Sequence, residues 1–208
     1  MKQKTEIIGM ILGWFAILAQ FILIIQNRQA DIFETIIRFF SFFTILTNIL
    51  VALYFTTKVF HLSRFPFNGF RKKGALTAIT AFIFIVGLVY QVVLRNIWTP
   101  TGLQFIVDEL LHTVIPLFVL FYWYLNSTDS ATTIKSLMKW LLYPIFFLLF
   151  VLIRGHFSGY YPYPFLNAIE IGYQQTYANV GIIFGIALTV MSVLLTIEKI
   201  IIKNKPSL

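Results

Sequence analysis

Long apolar stretches set the first limit on the fold of this chain. Six segments are long and apolar enough, or nearly so, to cross a bilayer, at about residues 7–25, 39–60, 75–94, 103–125, 137–153 and 177–202. As a helix, about 20 apolar residues cross ~30 Å of hydrocarbon. The runs lack the period-two alternation of barrel strands, and only 12% of the 208 residues are charged, too few for a soluble domain. The sequence predicts an all-α polytopic membrane protein, a single domain (1–208) of six transmembrane helices.

The absence of cysteine narrows the chemistry of the chain. With no cysteine among its residues, disulfide frameworks, thiolate metal sites and cysteine nucleophiles are excluded. Only His112 of the three histidines falls inside a predicted span, whereas His61 and His156 fall in or beside loops. One intramembrane histidine is too few for a histidine-ligated metal or for paired axial haem ligands. We therefore expect no metal and no other cofactor.

Basic residues are distributed unevenly between the two sets of connections. In membrane proteins Lys and Arg are enriched in cytoplasmic loops, so their positions predict the orientation. One side has twelve of them and the other has four: Lys2, Lys4, Lys58, Arg64, Arg71, Lys72, Lys73, Lys135, Lys139, Lys199, Lys203 and Lys205, against Arg28, Arg38, Arg95 and Arg154. Both termini are therefore predicted to be cytoplasmic, in a cell membrane. The basic loops are expected to bind anionic lipid headgroups, and no nucleic-acid partner is expected.

Polar side chains inside the spans gather toward their outer ends. They are Arg38, Ser41, Thr44, Thr47 and Asn48 in the second span, Gln91 and Arg95 in the third, Asp108, Glu109 and His112 in the fourth, and Asn179 in the sixth. Arg38, Ser41, Thr44 and Asn48 recur at the spacing of one helical stripe. At helical rise Thr44 and His112 both lie about 12 to 14 Å below the outer boundary. We expect a polar outer-half cavity, and almost no comparable groups in the inner halves.

Each of these residues also has a purely structural interpretation. A membrane-helix threonine such as Thr44 often bonds the carbonyl one turn back. His112 can be a structural histidine partnered by Asp108, and that acid with Glu109 can cap a helix amino terminus. The arginines at 38 and 95 can extend to lipid phosphates.

The chemistry that such a set can perform is nucleophilic acyl transfer. A threonine hydroxyl needs a base to take its proton, and a histidine oriented by a carboxylate is the usual one. The roles fall on Thr44 as nucleophile and His112 as base, with Asp108 or Glu109 as support. Oxyanion donors and substrate-carboxylate ligands are expected among a further group of polar residues: Thr47, Asn48 or Gln91, and Arg95 or Arg38.

A second function uses the same groups without covalent chemistry. In a lipid-binding or proton-coupled transport protein, Asp108, Glu109 and His112 would form a proton relay in the cavity. Transport sites often contain broken helices, for which Pro116 in the fourth span is the best candidate.

The connection from Arg154 to Thr176 is the longest and is rich in aromatic and polar residues. Pro162 and Pro164 stiffen it, and its tyrosines suit the headgroup layer. We expect it to fold over the bundle as a lid. Two small-residue motifs, GMILG at 9–13 and GIIFG at 181–185, are typical of close helix packing.

Three stretches resemble a known family. RFFSFFTILTNILVALYF in the second span, DELLHTVIPLFVLFYWYL in the fourth, and the loop YYPYPFLN are similar to the androgen-induced-gene and FAR-17a-like family and its bacterial six-span relatives. Animal members are integral-membrane threonine hydrolases that cleave fatty acid esters of hydroxy fatty acids. The resemblance implies a membrane hydrolase of lipid esters with one threonine and one histidine in its site.

Matched by motif, the nucleophile falls on Thr44 in FFTILT and the histidine on His112 in LLHTVIP. Thr47 is an alternative nucleophile, because the match does not fix the register. The chain departs from the animal pattern in having Asn48 after the second threonine and an Asp-Glu pair before the histidine. Fold and site therefore transfer more safely than the substrate.

Overall fold

The computed structural model describes residues 2–126 and 132–204, in which every regular element is helical and no strand occurs. The helices are α1 Lys2–Gln26, α2 Ile32–Phe40, α3 Phe43–Val59, α4 Ala75–Val89, α5 Gly102–Glu109, α6 Ile115–Asn126, α7 Ile134–Trp140, α8 Leu142–Ser158 and α9 Ala168–Lys203. Two π-helical turns, Tyr90–Leu94 and Leu110–Val114, extend α4 and join α5 to α6. The all-helical prediction is confirmed over these ranges.

Five helical segments in the described ranges are long and apolar enough to cross a membrane, and the bent pair α2–α3 makes six if it counts as one span. The others are α1, α4 with its π turn, α5 through α6, α7 through α8, and α9. α4 is the most buried of them. The apolar helices thus form a bundle compatible with a membrane, with α4 at its centre.

The second predicted span is not one continuous helix. Its two parts meet at an angle of 69°, because Phe42 adopts an extended conformation with ψ of 125°. The Ser41 hydroxyl donates to the Ile37 carbonyl at 2.7 Å, an interaction that often bends helices. The expectation of one polar stripe from Arg38 to Asn48 is therefore wrong, since Arg38 lies on α2 and Thr44 on α3.

The long aromatic connection is shorter than the sequence suggested. Helix α8 continues to Ser158, and α9 begins at Ala168 rather than at residue 177. Gly159 ends α8 with a φ of +70°, the left-handed conformation that glycine adopts without strain. A second such glycine, Gly172, has a φ of 78° and interrupts α9 near its start. The loop 159–167 that remains carries buried Tyr163 and Leu166, as expected of a lid.

The first small-residue motif brings α1 and α3 together, but the two glycines of the second motif face open space. A Cβ atom built on Gly13 would lie 3.0 Å from Ala52 Cβ and 3.2 Å from Ala52 Cα, whereas one built on Gly181 or Gly185 meets no atom within 4 Å. We predict that Gly13→Leu lowers the free energy of unfolding by about 1–3 kcal/mol, because α1 must move off α3. The thermal midpoint in detergent measures this loss.

The matched control for this prediction is Gly181→Leu. Both substitutions gain the same helix propensity from replacing glycine, so the difference between their midpoints reports packing alone. Equal midpoints for the two variants would contradict the packing assigned to the first motif.

Two buried glutamates lie at the end of the bundle opposite the 159–167 loop. That loop marks what we term the upper end, and the beginning of α1 marks the lower end. Glu6 accepts a hydrogen bond from the Tyr122 hydroxyl at 2.7 Å. Glu198, only 2% exposed, accepts from the hydroxyls of Thr77 at 2.8 Å and Thr132 at 2.7 Å. The expectation that this half of the bundle has almost no polar groups is wrong, because hydroxyls from neighbouring helices and from Thr132, just before α7, satisfy these acids.

Candidate active site

Thr44 and His112, 68 residues apart in sequence, meet between α3 and the π turn that joins α5 to α6. Thr44 Oγ1 lies 3.3 Å from His112 Nε2. Both side chains are buried, with 8% and 9% of each residue exposed. A hydroxyl at this distance can donate its hydrogen to an imidazole nitrogen.

The other imidazole nitrogen fixes the tautomer of His112. Nδ1 lies 2.9 Å from the main-chain carbonyl oxygen of Asp108. Because a carbonyl only accepts, Nδ1 carries the hydrogen, and the neutral ring presents the lone pair of Nε2 to Thr44. The Asp108 carboxylate lies further away, with Oδ1 3.8 Å from Nδ1. Asp108 thus orients the ring mainly through its backbone.

The π turn at His112 has a local cause in the sequence. Pro116 has no N–H group, and its ring crowds the carbonyl four residues earlier, which is that of His112. The helix widens to a π turn over Leu110–Val114 and resumes as α6. The fourth span is therefore not broken at Pro116: it runs as one helical segment from Gly102 to Asn126, with a change of helix type one turn before the proline.

Close packing against α4 holds the histidine in place. A Cβ atom built on Gly87 would lie 3.0 Å from the His112 carbonyl oxygen, so only glycine permits this approach without a shift. One turn later, the Tyr90 ring stacks on the imidazole with centroids 4.1 Å apart and planes 13° apart. The imidazole is therefore held in one orientation by a ring on one side and a backbone hydrogen bond at Nδ1.

Asn48 links the two elements that carry the site. Its amide donates to the carbonyl of Thr44 at 2.9 Å and to that of Leu111 at 3.3 Å. The residue is fully buried and lines neither of the cavities described below. The sequence suggested Asn48 as a substrate-binding residue, but its hydrogen bonds instead link α3 to the π turn.

Thr44 lies in the first turn of α3, because the helix is interrupted at Phe42. Amide groups in this turn have no partner within the helix, and the N–H of Thr44 instead donates to the Tyr163 hydroxyl at 3.4 Å. Burial raises the pKa of Tyr163 to about 12, so the phenol stays neutral near pH 7. Its ring is fixed by stacking on Phe165 and by an edge contact with Phe42.

Two cavities border Thr44. The larger one has a volume of about 500 Å³ and is also lined by His112, Asp108 and Tyr90. The smaller one is a narrow crevice of about 70 Å³ between α4, α8 and α9. Tyr163 lines both. A hydroxyl, its base and a phenol thus face space that a ligand can enter.

Thr47, the alternative nucleophile, has a different environment. Its hydroxyl lies 2.8 Å from that of Tyr143, the residue is fully buried, and it lines neither cavity. Of the two threonines, Thr44 is the one next to the histidine and to open space.

Glu109, Gln91 and Arg95 form a separate polar cluster beside the site. Arg95 pairs with Glu109 at 2.7 Å and donates to the Gln91 side chain at 2.6 Å. The Thr113 hydroxyl donates to Glu109 at 2.7 Å and accepts from Gln91 at 2.8 Å. None of the four lines either cavity, so Asp108 rather than Glu109 is the acid next to His112.

Arg38 belongs to an ion-pair cluster near the loop. It pairs with Glu34 at 2.7 Å, and Arg154 pairs with the same carboxylate at 2.5 Å. Both guanidinium groups lie over the Tyr160 ring, at 4.2 and 4.9 Å from its centroid. The cluster ties α2 and α8 to the start of the loop. Asn179, the polar residue noted in the last span, similarly donates to the Phe165 carbonyl at 2.9 Å.

Several residues of the larger cavity were not singled out from the sequence. The two most closely placed are Tyr90, stacked on the histidine, and Tyr163, in contact with Thr44. Near the upper end the lining includes Gln20 and Gln104, whose amides bond to each other at 2.9 Å, together with Trp98. The YYPYP motif indicated Tyr163, whereas no sequence pattern predicts the stacking of Tyr90 on His112.

In the described ranges, no three His, Asp or Glu side chains lie close enough together to hold a metal ion. Comparison of the chain with family models, curated proteins and solved structures gives no match. The chemistry of the site therefore rests on the geometry of Thr44, His112 and the groups around them.

Proposed function

We propose that this chain is a membrane-embedded hydrolase of lipid esters in which Thr44 is the nucleophile and His112 the general base. The observation that supports this most directly is the 3.3 Å separation of Thr44 Oγ1 and His112 Nε2 at the wall of a cavity of about 500 Å³. A hydroxyl beside an oriented base, next to space for a substrate, is the arrangement that nucleophilic acyl transfer requires.

In the acylation step, the Thr44 hydroxyl oxygen bonds to the ester carbonyl carbon while its proton passes to His112 Nε2. The carbonyl oxygen becomes an oxyanion, which takes over the hydrogen bond that the Thr44 N–H makes to the Tyr163 hydroxyl and accepts a second one from that hydroxyl. The bond from carbon to the alcohol oxygen then breaks, and the imidazolium gives its proton to the departing alcohol. The acyl group is left on Thr44.

Deacylation repeats these transfers with water in place of the alcohol. The oxygen of water bonds to the acyl carbon while its proton passes to His112, and the bond to Thr44 then breaks as the proton returns to the threonine oxygen. The acid product leaves and the free enzyme is restored. Asp108 holds the same tautomer through both steps, by the hydrogen bond from Nδ1 to its carbonyl.

The location of the site favours a lipid substrate. Apolar helices surround Thr44, and apolar side chains provide most of the lining of both cavities, so a soluble polar ester gains little from entering. The resemblance to hydrolases of fatty acid esters of hydroxy fatty acids points to the same class, and membership of that family stays a prediction. We propose no cofactor, because the groups present complete the proton transfers.

The proposed setting is a cell membrane crossed six times, with α2–α3 as one broken span and both termini in the cytoplasm. The excess of Lys and Arg on the lower connections supports this orientation. Lys72, Lys73, Lys135 and Lys139 line one groove there, where anionic headgroups are the expected partners. Lys205, counted on the same side, lies outside the described residues.

The site is tested by covalent labelling. We predict that purified protein in detergent hydrolyses octanoyl and palmitoyl esters and is labelled by an alkyl fluorophosphonate on Thr44, because this hydroxyl combines a neighbouring imidazole with access to a cavity. Mass spectrometry of the labelled peptide locates the adduct on residue 44 or 47. An adduct on Thr47 would overturn the choice of nucleophile.

The alternative of a non-catalytic lipid carrier gives a different result in the same experiment. A carrier would bind the esters, as measured by displacement of a fluorescent fatty acid, but would release no free acid and take up no phosphonate. Binding without turnover, in protein that remains folded, would therefore contradict the hydrolase proposal and support the carrier.

A further inference from the structure

The larger cavity and the crevice lie on either side of a shared wall that includes the proposed nucleophile. Three residues line both of them: Thr44, Leu94 and Tyr163. His112, however, lines only the larger cavity. The nucleophile thus stands between two spaces, and the base faces one of them.

The two spaces differ in chemistry. Of the described residues that line the crevice, all are apolar except Thr44 and Tyr163. The larger cavity also contains polar side chains near its upper end, among them Gln20, Gln104 and Asp108. The crevice therefore suits an unfunctionalised hydrocarbon chain, whereas the larger cavity suits a group with hydrogen-bonding atoms.

We infer that the ester binds across Thr44 with its acyl chain in the crevice and its alcohol portion in the larger cavity. This inference rests on the proposed hydrolase function. His112 must protonate the alcohol oxygen as it leaves, so that oxygen lies on the side of Nε2, which is the larger cavity. Once the carbonyl carbon is bonded to Thr44, the acyl chain continues on the other side, into the crevice.

The size of the crevice limits how much of the chain it encloses. The crevice, at about 70 Å³, is several times smaller than the larger cavity of about 500 Å³, so it encloses only the first part of a long acyl chain. Its far wall, formed by Ile183 and Phe184 of α9, is half-buried, so longer chains extend past it toward lipid. Enclosed carbons add to binding, and carbons beyond them add little.

This division of the site is compatible with the substrate class proposed above, an ester of a linear acyl chain with a bulky alcohol that carries a second polar group. The volume of about 500 Å³ admits a branched or substituted alcohol, and amide groups at its upper end offer both donors and acceptors. Acyl chains with polar substituents near the ester are excluded, because the crevice would leave them without hydrogen-bond partners.

The test fills each space separately. Ala187→Phe places a ring in the crevice from α9, and Ile24→Phe, its matched control, places one in the larger cavity from α1; each parent residue lines only that space. Hydrolysis is followed on 4-methylumbelliferyl acetate, butyrate, octanoate and palmitate, and on octanoate esters of methanol and of 12-hydroxystearic acid.

For wild type we expect kcat/KM to rise from acetate to octanoate and to level off at palmitate. Ala187→Phe should lower kcat/KM for octanoate about tenfold or more relative to acetate, and retained acetate hydrolysis shows that the variant folds. Ile24→Phe should instead lower the preference for the hydroxystearate ester over the methyl ester, without changing the acyl-length profile. The opposite assignment, or equal loss on all esters, would overturn the orientation.

A binding readout separates failure of the orientation from failure of the proposed function. In Thr44→Ala protein, octanoyl methylumbelliferone with a diazirine at acyl carbon 6 should label peptides of α8 and α9 near residues 144–148 and 183–187. Labelling of α1 or α5 peptides overturns the orientation even if esters are hydrolysed. If the wild-type protein hydrolyses no ester, both the hydrolase proposal and the proposed orientation are wrong.

Discussion

Replacing Thr44 by Ala is expected to lower kcat/KM for octanoate hydrolysis about 10³-fold, and replacing His112 by Ala is expected to do the same. In the proposed mechanism the two side chains act as one unit, in which the hydroxyl is inert without its base and the base has nothing to activate without the hydroxyl. The double variant should therefore be no slower than either single one. Initial rates over a range of enzyme and ester concentrations measure this non-additivity.

The control for this pair is Thr47→Val, which removes a hydroxyl of the same kind one turn later on α3. Thr47 bonds to Tyr143 and lies away from both cavities, so its loss should leave hydrolysis close to wild type. A double variant whose rate is the product of the two single losses would show that Thr44 and His112 act independently. That result would contradict the proposed mechanism.

Sequence reasoning could identify the pair because depth in the membrane is easy to count. Thr44 and His112 lie equally far into two spans that run in the same direction, so parallel helices bring them to one level, and the structure places them in contact at 3.3 Å. Helical spacing also suggested one polar stripe that reaches to Arg38. That stripe is not formed, because α2 and α3 meet at 69°. Nothing in the composition there, neither Pro nor Gly, marks the break.

The immediate surroundings of the pair could not be predicted, for physical reasons. A carboxylate three or four residues before His112 suggested orientation by a side chain, but in the π turn the Asp108 carbonyl provides the hydrogen bond at 2.9 Å. Asn48 looked like an oxyanion donor, yet main-chain carbonyls within reach take its amide hydrogens. Backbone groups are present at every residue, so a sequence does not show which of them will be exposed.

The break between α2 and α3 matters for the proposed mechanism. It ends one helix and starts another inside the bundle, so that Thr44 lies in a first turn whose amide hydrogens point out of the helix. In the proposed mechanism, the positive end of the α3 dipole lies at the ester carbonyl that Thr44 attacks. A continuous second span would have bonded these amides internally and left the site without them.

The hydroxyl of Tyr163 is expected to provide the second oxyanion donor, so Tyr163→Phe should lower kcat about 10²-fold. Substrate binding should change little, because the ring keeps its stacking on Phe165 and the donor acts only when negative charge develops on the carbonyl oxygen. Steady-state kinetics that separate kcat from KM on the octanoate ester measure this. The burst of alcohol release should slow to the same degree, since acylation forms the first oxyanion.

A lid residue that merely packs would behave differently, and Tyr161→Phe is the matched control for that role. Tyr161 lies in the same loop and packs against Gly155, but it lines neither cavity, so removing its hydroxyl should leave kcat near wild type. If Tyr163→Phe raises KM with kcat unchanged, or if both variants lose activity together with thermal stability, the phenol only supports the loop. A loss of kcat confined to Tyr163→Phe would instead place its hydroxyl at the developing oxyanion, where the broken α2–α3 span directs the Thr44 amide.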